Sequence, residues 1–232
     1  MELSVLQVSL ALVPIIAAVV IYGLMVKDWS SVLWATLRMV VQLIAIGYAL
    51  NYIFNLHHPS WVLMVIVLMS IGAGWIAVRP IRKFKKPIMP IFVAVIVSGW
   101  INLIWILVVV LRPNPWFLPS VLIPITGMVM ANSMNAVSLC AERFWSELKQ
   151  KNTIQESTLA ALTAAMIPQI NALLAVGLVS LPGMMTGQIL SGVSPLIAVR
   201  YQIVIMAMVL STAAFGSFIY LFWYRKYEPE SK

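Results

Sequence analysis

Residues 79–111 read RPIRKFKKPIMPIFVAVIVSGWINLIWILVVVL. The opening part holds Arg79, Arg82, Lys83, Lys85 and Lys86 and no acid, and the run 88–111 that follows holds no charge. A membrane-spanning helix takes roughly 20 consecutive apolar residues. This run is continuous rather than alternating, so it reads as a transmembrane α-helix and not as a β-barrel strand. The step from cations to uncharged apolar residues marks a membrane surface.

Working outward, six more runs of this kind lie at about 4–26, 31–54, 61–78, 118–140, 159–181 and 196–223. Only 9% of the 232 residues are charged and 62% are hydrophobic, against about 25% charged in soluble domains. Mean hydropathy is +0.98. The expected fold is all-α: a polytopic membrane protein of about seven transmembrane helices, with residues 1–232 as a single transmembrane domain. Cations mark the cytoplasmic side. The run 79–87, the stretch 141–157 with Arg143, Lys149 and Lys151, and the tail from Arg225 all carry them. The connections between these are charge-poor, holding only Arg112, so alternation predicts an outside N-terminus and a cytoplasmic C-terminus. The net charge of +8 is then topological. It points to anionic lipid headgroups and not to nucleic acid. The N-terminus does not read as a signal peptide, because Glu2 stands where a basic cluster belongs. The single cysteine, Cys140, can form no internal disulfide and reads as a small buried residue.

What the chain lacks narrows its function. All seven acidic residues lie in loops or at helix ends, and both histidines, His57 and His58, lie in one connection. Proton-driven transporters carry Asp, Glu or His within the bilayer, so this pattern argues against proton coupling. No phosphate-binding loop, HExxH or GxSxG motif is present, which argues against ATP hydrolysis by this chain and against an intramembrane hydrolase. The expectation is a non-enzyme with no cofactor of its own. Adjacent histidines with no third ligand nearby read as a loop rather than a metal site.

Polar residues inside the helices are the candidates for function. Ser30 or Ser31 is expected to cap the second helix, and Arg38 and Gln42, four apart, share one of its faces. Arg38 can snorkel to the headgroups or face the bundle interior with a hydrogen-bonded partner. In the fifth helix Gly127, Ala131 and Ser138 suit close packing. Met128, Asn132 and Asn135 fall at spacings of four and three and can line one stripe. Either they glue helices together or they form a polar seam along a substrate path.

Four stretches, VVQLIAIGYALNYIF, IPITGMVMANSMNAVSLC, AVGLVSLPGMMTGQILSGVSP and VRYQIVIMAMVLST, resemble the Fet-type iron-export permeases, a group that includes plant aluminium-tolerance permeases. The similarity runs from the second helix to the last, and LVSLPGMMTG followed by Ser-Pro and RYQIV is its most specific part. The resemblance implies a permease of a bacterial plasma (inner) membrane, working as two copies with a cytoplasmic ABC ATPase subunit that holds ATP and Mg. It also implies export of iron or another metal or metal-linked substrate. One departure stands out. The family's segment between the fifth and sixth helices is longer by roughly one to two helical turns or more and contains a Gly-Ala-Thr-type turn absent here. That puts ATPase coupling through this segment in question.

Within this frame, GLVSLPGMMTG (177–187) is expected to end the sixth helix at Pro182-Gly183 and to form an outer gate turn with Gly187. Met184, Met185 and Gln188 then sit at the outer mouth, before Ser194 and Pro195 start the last helix. In 141–158, Phe144, Trp145 and Leu148 make an apolar stripe beside Glu142 and Arg143, suited to an ATPase groove; the other reading is a helix packed on its own bundle. No intramembrane carboxylate is available to cage iron, so the cargo is expected to travel chelated or to be held loosely by Asn, Met and carbonyl groups. The competing function is a membrane anchor or assembly partner of an ATPase, with no transport path of its own.

Overall fold

The computed structural model describes residues 4–53 and 58–225, which fall into two compact units, Met1–His57 and His58–Lys232. The described residues contain no strand, only an isolated bridge between Val176 and Ser180. Seven helical stretches are long and apolar enough to cross a membrane: Leu6–Val26, Trp29–Ala49, Pro59–Phe84, Met89–Leu111, Pro119–Lys149, Ile154–Ala175 and Pro195–Tyr224. They coincide with the seven expected runs.

The first unit holds α1 (Val5–Ala11), α2 (Val13–Val26) and α3 (Trp29–Ile53). The single helix expected over 4–26 is broken at Leu12, two residues before Pro14, which supplies no backbone donor. Asp28, not Ser30 or Ser31, caps α3: its Oδ1 accepts the Ser31 N–H at 3.2 Å and the Ser30 hydroxyl at 3.0 Å. A carboxylate placed before the first turn also complements the helix dipole. Within this unit α2 buries no residue, and Leu24 and Met25 are exposed. Such surface suits lipid or a protein partner rather than water.

The second unit comprises α4 (Pro59–Ala77), a 3-10 turn (Arg79–Phe84), α5 (Met89–Trp105) running into a π-helical turn (Ile106–Leu111), α6 (Pro119–Lys149), α7 (Ile154–Ala175), α8 (Gly183–Leu190) and α9 (Pro195–Arg225). Helix α6 packs against α4, α5, α7 and α9, and its inward residues Met130, Val137, Cys140 and Phe144 belong to the core with Val95 and Tyr220. Cys140 is buried, as expected. Close packing through Gly127 and Ser138 is also observed, whereas Ala131, expected beside them, is exposed. A Cβ on Gly127 would stand 3.3 Å from Met69 Cε, and the Ser138 hydroxyl donates to the Ala77 carbonyl at 2.8 Å.

Two helix ends differ from expectation. The fifth spanning helix does not stop near residue 140; α6 has 31 residues, roughly 46 Å at 1.5 Å each. The stretch 141–149 is its continuation. A four-residue connection, 150–153, then leads to α7, whose N-terminus is a capping box. Thr153 Oγ1 accepts the Glu156 N–H at 3.2 Å, and Glu156 Oε2 accepts the Thr153 N–H at 2.9 Å. Asn152 also donates to the Glu147 carboxylate. The short segment is therefore a built helical hairpin. At its other end α7 stops at Ala175, before Pro182-Gly183. Gly177, at φ +82°, takes the left-handed conformation open to glycine and donates its N–H to the Ser180 carbonyl at 2.9 Å. Pro182 and Gly183 start α8 instead of ending α7.

Candidate functional site

The second unit has two distinct ends. At the basic end lie the 3-10 turn, the α6–α7 hairpin and the C-terminal part of α9. At the opposite end lie the α7–α8 turn, α8 and the start of α9. Helix α9 runs between them and contributes to each region described below.

Midway, α5, α6 and α9 share a hydrogen-bonded polar seam. Ser98 Oγ and Ser133 Oγ are 2.7 Å apart, and Ser133 also donates to the Val95 carbonyl at 3.2 Å. Asn102 donates to the Ser98 carbonyl at 3.0 Å and accepts the Ser211 hydroxyl at 2.5 Å. The helices come close because two positions lack side chains. A Cβ on Gly99 would lie 2.7 Å from Met130 Cε, and one on Gly216 would lie 2.8 Å from Val137 Cγ2 and 3.0 Å from Ser98 Oγ. With partners this complete, the seam holds helices together.

At the end opposite the basic turn, α7, α8 and α9 border an apolar chamber of about 450 Å³ that stands open on one side, with Ile203 and Leu181 exposed on its rim. Its wall includes Leu173, Val199, Met185, Met206, Ala207 and Gln202. Gln202 is only 6% exposed, and its Oε1 has no hydrogen-bond partner among the described residues. The Oε1 of Gln188, on α8, is likewise buried and unpartnered. Buried polar atoms are almost always satisfied, so these two amide oxygens differ from the hydrogen-bonded side chains of the seam.

At the basic end an apolar pocket of about 670 Å³ is lined by residues that include Met89, Phe144, Trp145, Leu148, Trp223 and Tyr224. Trp145 donates its indole N–H to Tyr220 Oη at 2.9 Å and meets the Tyr224 ring edge-on at 5.1 Å. Lys86 Nζ lies 4.2 Å above the Trp145 ring, a cation–π arrangement. Around the pocket, Glu142 pairs with Lys83 at 2.8 Å and Arg143 with the buried Glu147 at 2.5 Å.

The sequence candidates are therefore distributed rather than gathered. Arg38 and Gln42 are exposed on α3 of the first unit. Met128 and Asn132 are half-buried and Asn135 is exposed. Asn132 bonds its own helix, donating to the Met128 carbonyl at 2.7 Å. The stripe lies on the outward face of α6, and Ser133 takes the inward one. Met184, Met185 and Gln188 are half-buried around α8, with Gly187 exposed, and Met185 lines the chamber. Phe144 is buried in the core, and Trp145 and Leu148 pack against that core from its edge. The stripe expected to be free thus rests largely on its own bundle while still walling the pocket. Sequence reading missed Ser98, Asn102, Ser133, Gln202 and Ser211. The four-residue spacing of Ser98 and Asn102, a polar pair on one helix face, was the available signal. For His57 and His58, His57 lies outside the described residues, and His58 Nδ1 is 3.2 Å from Ser60 Oγ.

The family described as "Uncharacterised protein family (UPF0014)" matches residues 4–161 and 149–227. The chain is 38% identical over 199 residues to the UPF0014 membrane protein slr1647 of Synechocystis, covering 79% of this chain and 77% of that protein. It is 34% identical over 214 residues to the "Probable iron export permease protein FetB" of Escherichia coli, covering 85% and 82%. With the protein ALUMINUM SENSITIVE 3 of Arabidopsis thaliana it shares 29% identity over 231 residues, covering 92% and 84%. No solved structure matches.

Proposed function

The chain belongs to the UPF0014 family of multi-pass membrane proteins, and from that premise we propose that it is the membrane-spanning permease subunit of an ABC exporter. Its substrate is iron or a related metal-linked species, following the relative named for iron export. ATP and Mg are bound and ATP hydrolysed on a separate cytoplasmic ATPase subunit, and this chain supplies the path. Two copies form the transporter in a bacterial inner membrane, N-terminus outside and C-terminus cytoplasmic, each contributing residues 1–232 as one permease domain. Membrane lipids cover the remaining apolar surface.

The observation that carries this reading is the span of α9. One helix walls the open chamber through Gln202, enters the seam through Ser211, and walls the basic-end pocket through Trp223 and Tyr224. A packed helix with two discrete arrangements can carry a displacement from end to end. An ATPase acting at the basic end, beside Glu142, Arg143 and the Phe144–Leu148 stripe, would therefore change the chamber at the other end. The outward stripe Met128, Asn132 and Asn135 supports a path between two copies, because exposed polar groups at membrane depth face protein or water rather than lipid.

The test is reconstitution in nanodiscs with a candidate ATPase subunit that has no membrane helices. Hydrolysis stimulated by a metal-linked substrate is the expected outcome. A stable complex without stimulation would identify a membrane anchor instead.

A further inference from the structure

We propose that the groove between α4, α5 and the start of α6 holds one anionic phospholipid, with its phosphate on the Arg112 guanidinium and an acyl chain along the apolar wall. The site lies in the leaflet opposite the basic turn, whatever cargo the chain carries.

Arg112 is held at the head of this groove by its own helix. The π-helical turn closes with the Arg112 backbone N–H donating to the Leu107 carbonyl at 2.9 Å, and Arg112 itself turns left-handed at φ +45°. Its Nε donates back to the Val109 carbonyl at 3.2 Å, which lays the side chain along the helix end. Its two terminal nitrogens have no hydrogen bond or ion pair among the described residues. They remain as an end-on fork, the geometry that meets two phosphate oxygens at once. Arg112 follows directly on the spanning stretch Met89–Leu111. Trp116, exposed on the same groove, is of the residue type that gathers at headgroup level.

Below Arg112 the groove, about 430 Å³, is walled by Leu63, Trp100, Ile104 and Leu107. Leu63 and Ile104 are exposed, so the groove opens to the surrounding lipid. From residue 112 back to 100 the helix descends roughly 18 Å at 1.5 Å per residue, close to the ~15 Å filled by the chains of one leaflet. No charge but that of Arg112 lines it. A long apolar slot headed by one cation fits an amphiphile with an anionic head, and its walls add nothing to a soluble anion. The charge balance selects the headgroup. The acids described in the second unit, Glu142, Glu147 and Glu156, all lie on the α6–α7 hairpin at the basic end. None of them is placed to neutralise Arg112 or to attract a choline or ethanolamine cation, so a headgroup of net negative charge is favoured.

The probes are dioleoyl phosphatidylglycerol, which is anionic, and dioleoyl phosphatidylcholine, which has the same chains and no net charge. The full chain is purified in detergent, given both lipids, and weighed intact by native mass spectrometry. One phosphatidylglycerol per chain is expected to stay bound, favoured about tenfold or more over phosphatidylcholine, the scale of one charge-assisted hydrogen bond. Arg112→Gln should remove that preference. Leu63→Trp, which narrows the groove, should lower retention of both lipids. Arg200→Gln, at the exposed start of α9, removes a cation from the same end but outside the groove and should change neither. Excess glycerol phosphate, a headgroup without chains, should not displace the lipid. Thermal unfolding checks that each variant folds, and Ile104→Trp replaces Leu63→Trp if the latter does not. Equal retention of the two lipids by the wild-type chain would overturn the proposal, as would a loss in Arg200→Gln matching that in Arg112→Gln. Displacement by glycerol phosphate would leave a phosphate site without a lipid and overturn it too. A disulfide between two chains carrying Leu63→Cys in a Cys140→Ser background, with no lipid retained, would make the groove an interface between copies instead.

Discussion

The hydroxyl of Ser211 on α9 stands 2.5 Å from the amide oxygen of Asn102 on α5, joining positions 109 residues apart. Asn102 also ties back to Ser98, and Ser98 to Ser133 on α6. Three helices thus meet through one chain of side-chain hydrogen bonds in an apolar surround. Replacing Asn102 with Leu removes the hub and leaves Ser211 only its own helix, where its hydroxyl donates to the Met208 carbonyl at 3.1 Å. The expected loss is about 1–3 kcal/mol. Ser211→Ala should cost less, roughly 0.6 kcal/mol, the average for such bonds inside membranes. Thermal or denaturant unfolding in a fixed detergent measures both. Equal losses would show that the seam does not depend on its asparagine.

At Gly216 α9 approaches both α5 and α6 closely. Gly216→Ala places a methyl 2.8 Å from Val137 Cγ2 and 3.0 Å from Ser98 Oγ, so the helices must separate. Overpacking of this kind costs typically 1–3 kcal/mol. Gly72→Ala on α4 is the control: its Cβ meets nothing within 4 Å, and the gain in helix propensity, about 1 kcal/mol, should leave stability unchanged or raised. The order of the two unfolding temperatures checks the packing directly.

Ser133 and Asn135 test how α6 is rotated. Ser133 is fully buried and Asn135 exposed. In a Cys140→Ser background, Asn135→Cys is expected to react with a membrane-impermeant thiol reagent when the path is open to water, and Ser133→Cys to resist it. Lipid around Asn135 would block the reaction in every nucleotide state and remove the stripe from the path.

The basic-end pocket separates docking from folding. Trp145 is held by its own bundle through Tyr220, so truncating it disturbs both. Met89 lines the same pocket and is exposed. Met89→Trp should fill the pocket with a change in stability within about 0.5 kcal/mol, the usual range for surface substitutions. It should also weaken ATPase association by tenfold or more. Undiminished association, measured by co-purification and by stimulated hydrolysis, would move the docking site to another surface of the basic end.

The number of spans, the all-α class and the basic character of one end were legible in the sequence. Each follows from composition along the chain: an apolar run of spanning length has no other stable fold in lipid, and cations collect where it ends. The Thr153–Glu156 capping box belongs to the same class, because its signal is local. Residues 132, 133 and 135 are all small and polar and lie within one turn of α6, so only packing decides that Ser133 faces α5 and Asn135 faces away. The stripe at Phe144–Leu148 looked free because amphipathic spacing cannot tell a partner's groove from the neighbouring helix. Helix α7 stops short of the proline expected to break it because Gly177 takes a left-handed turn that closes on Ser180. Gln202 was hidden for a deeper reason. Its side chain is ordinary in sequence; only tertiary packing buries its amide oxygen where no described residue donates to it.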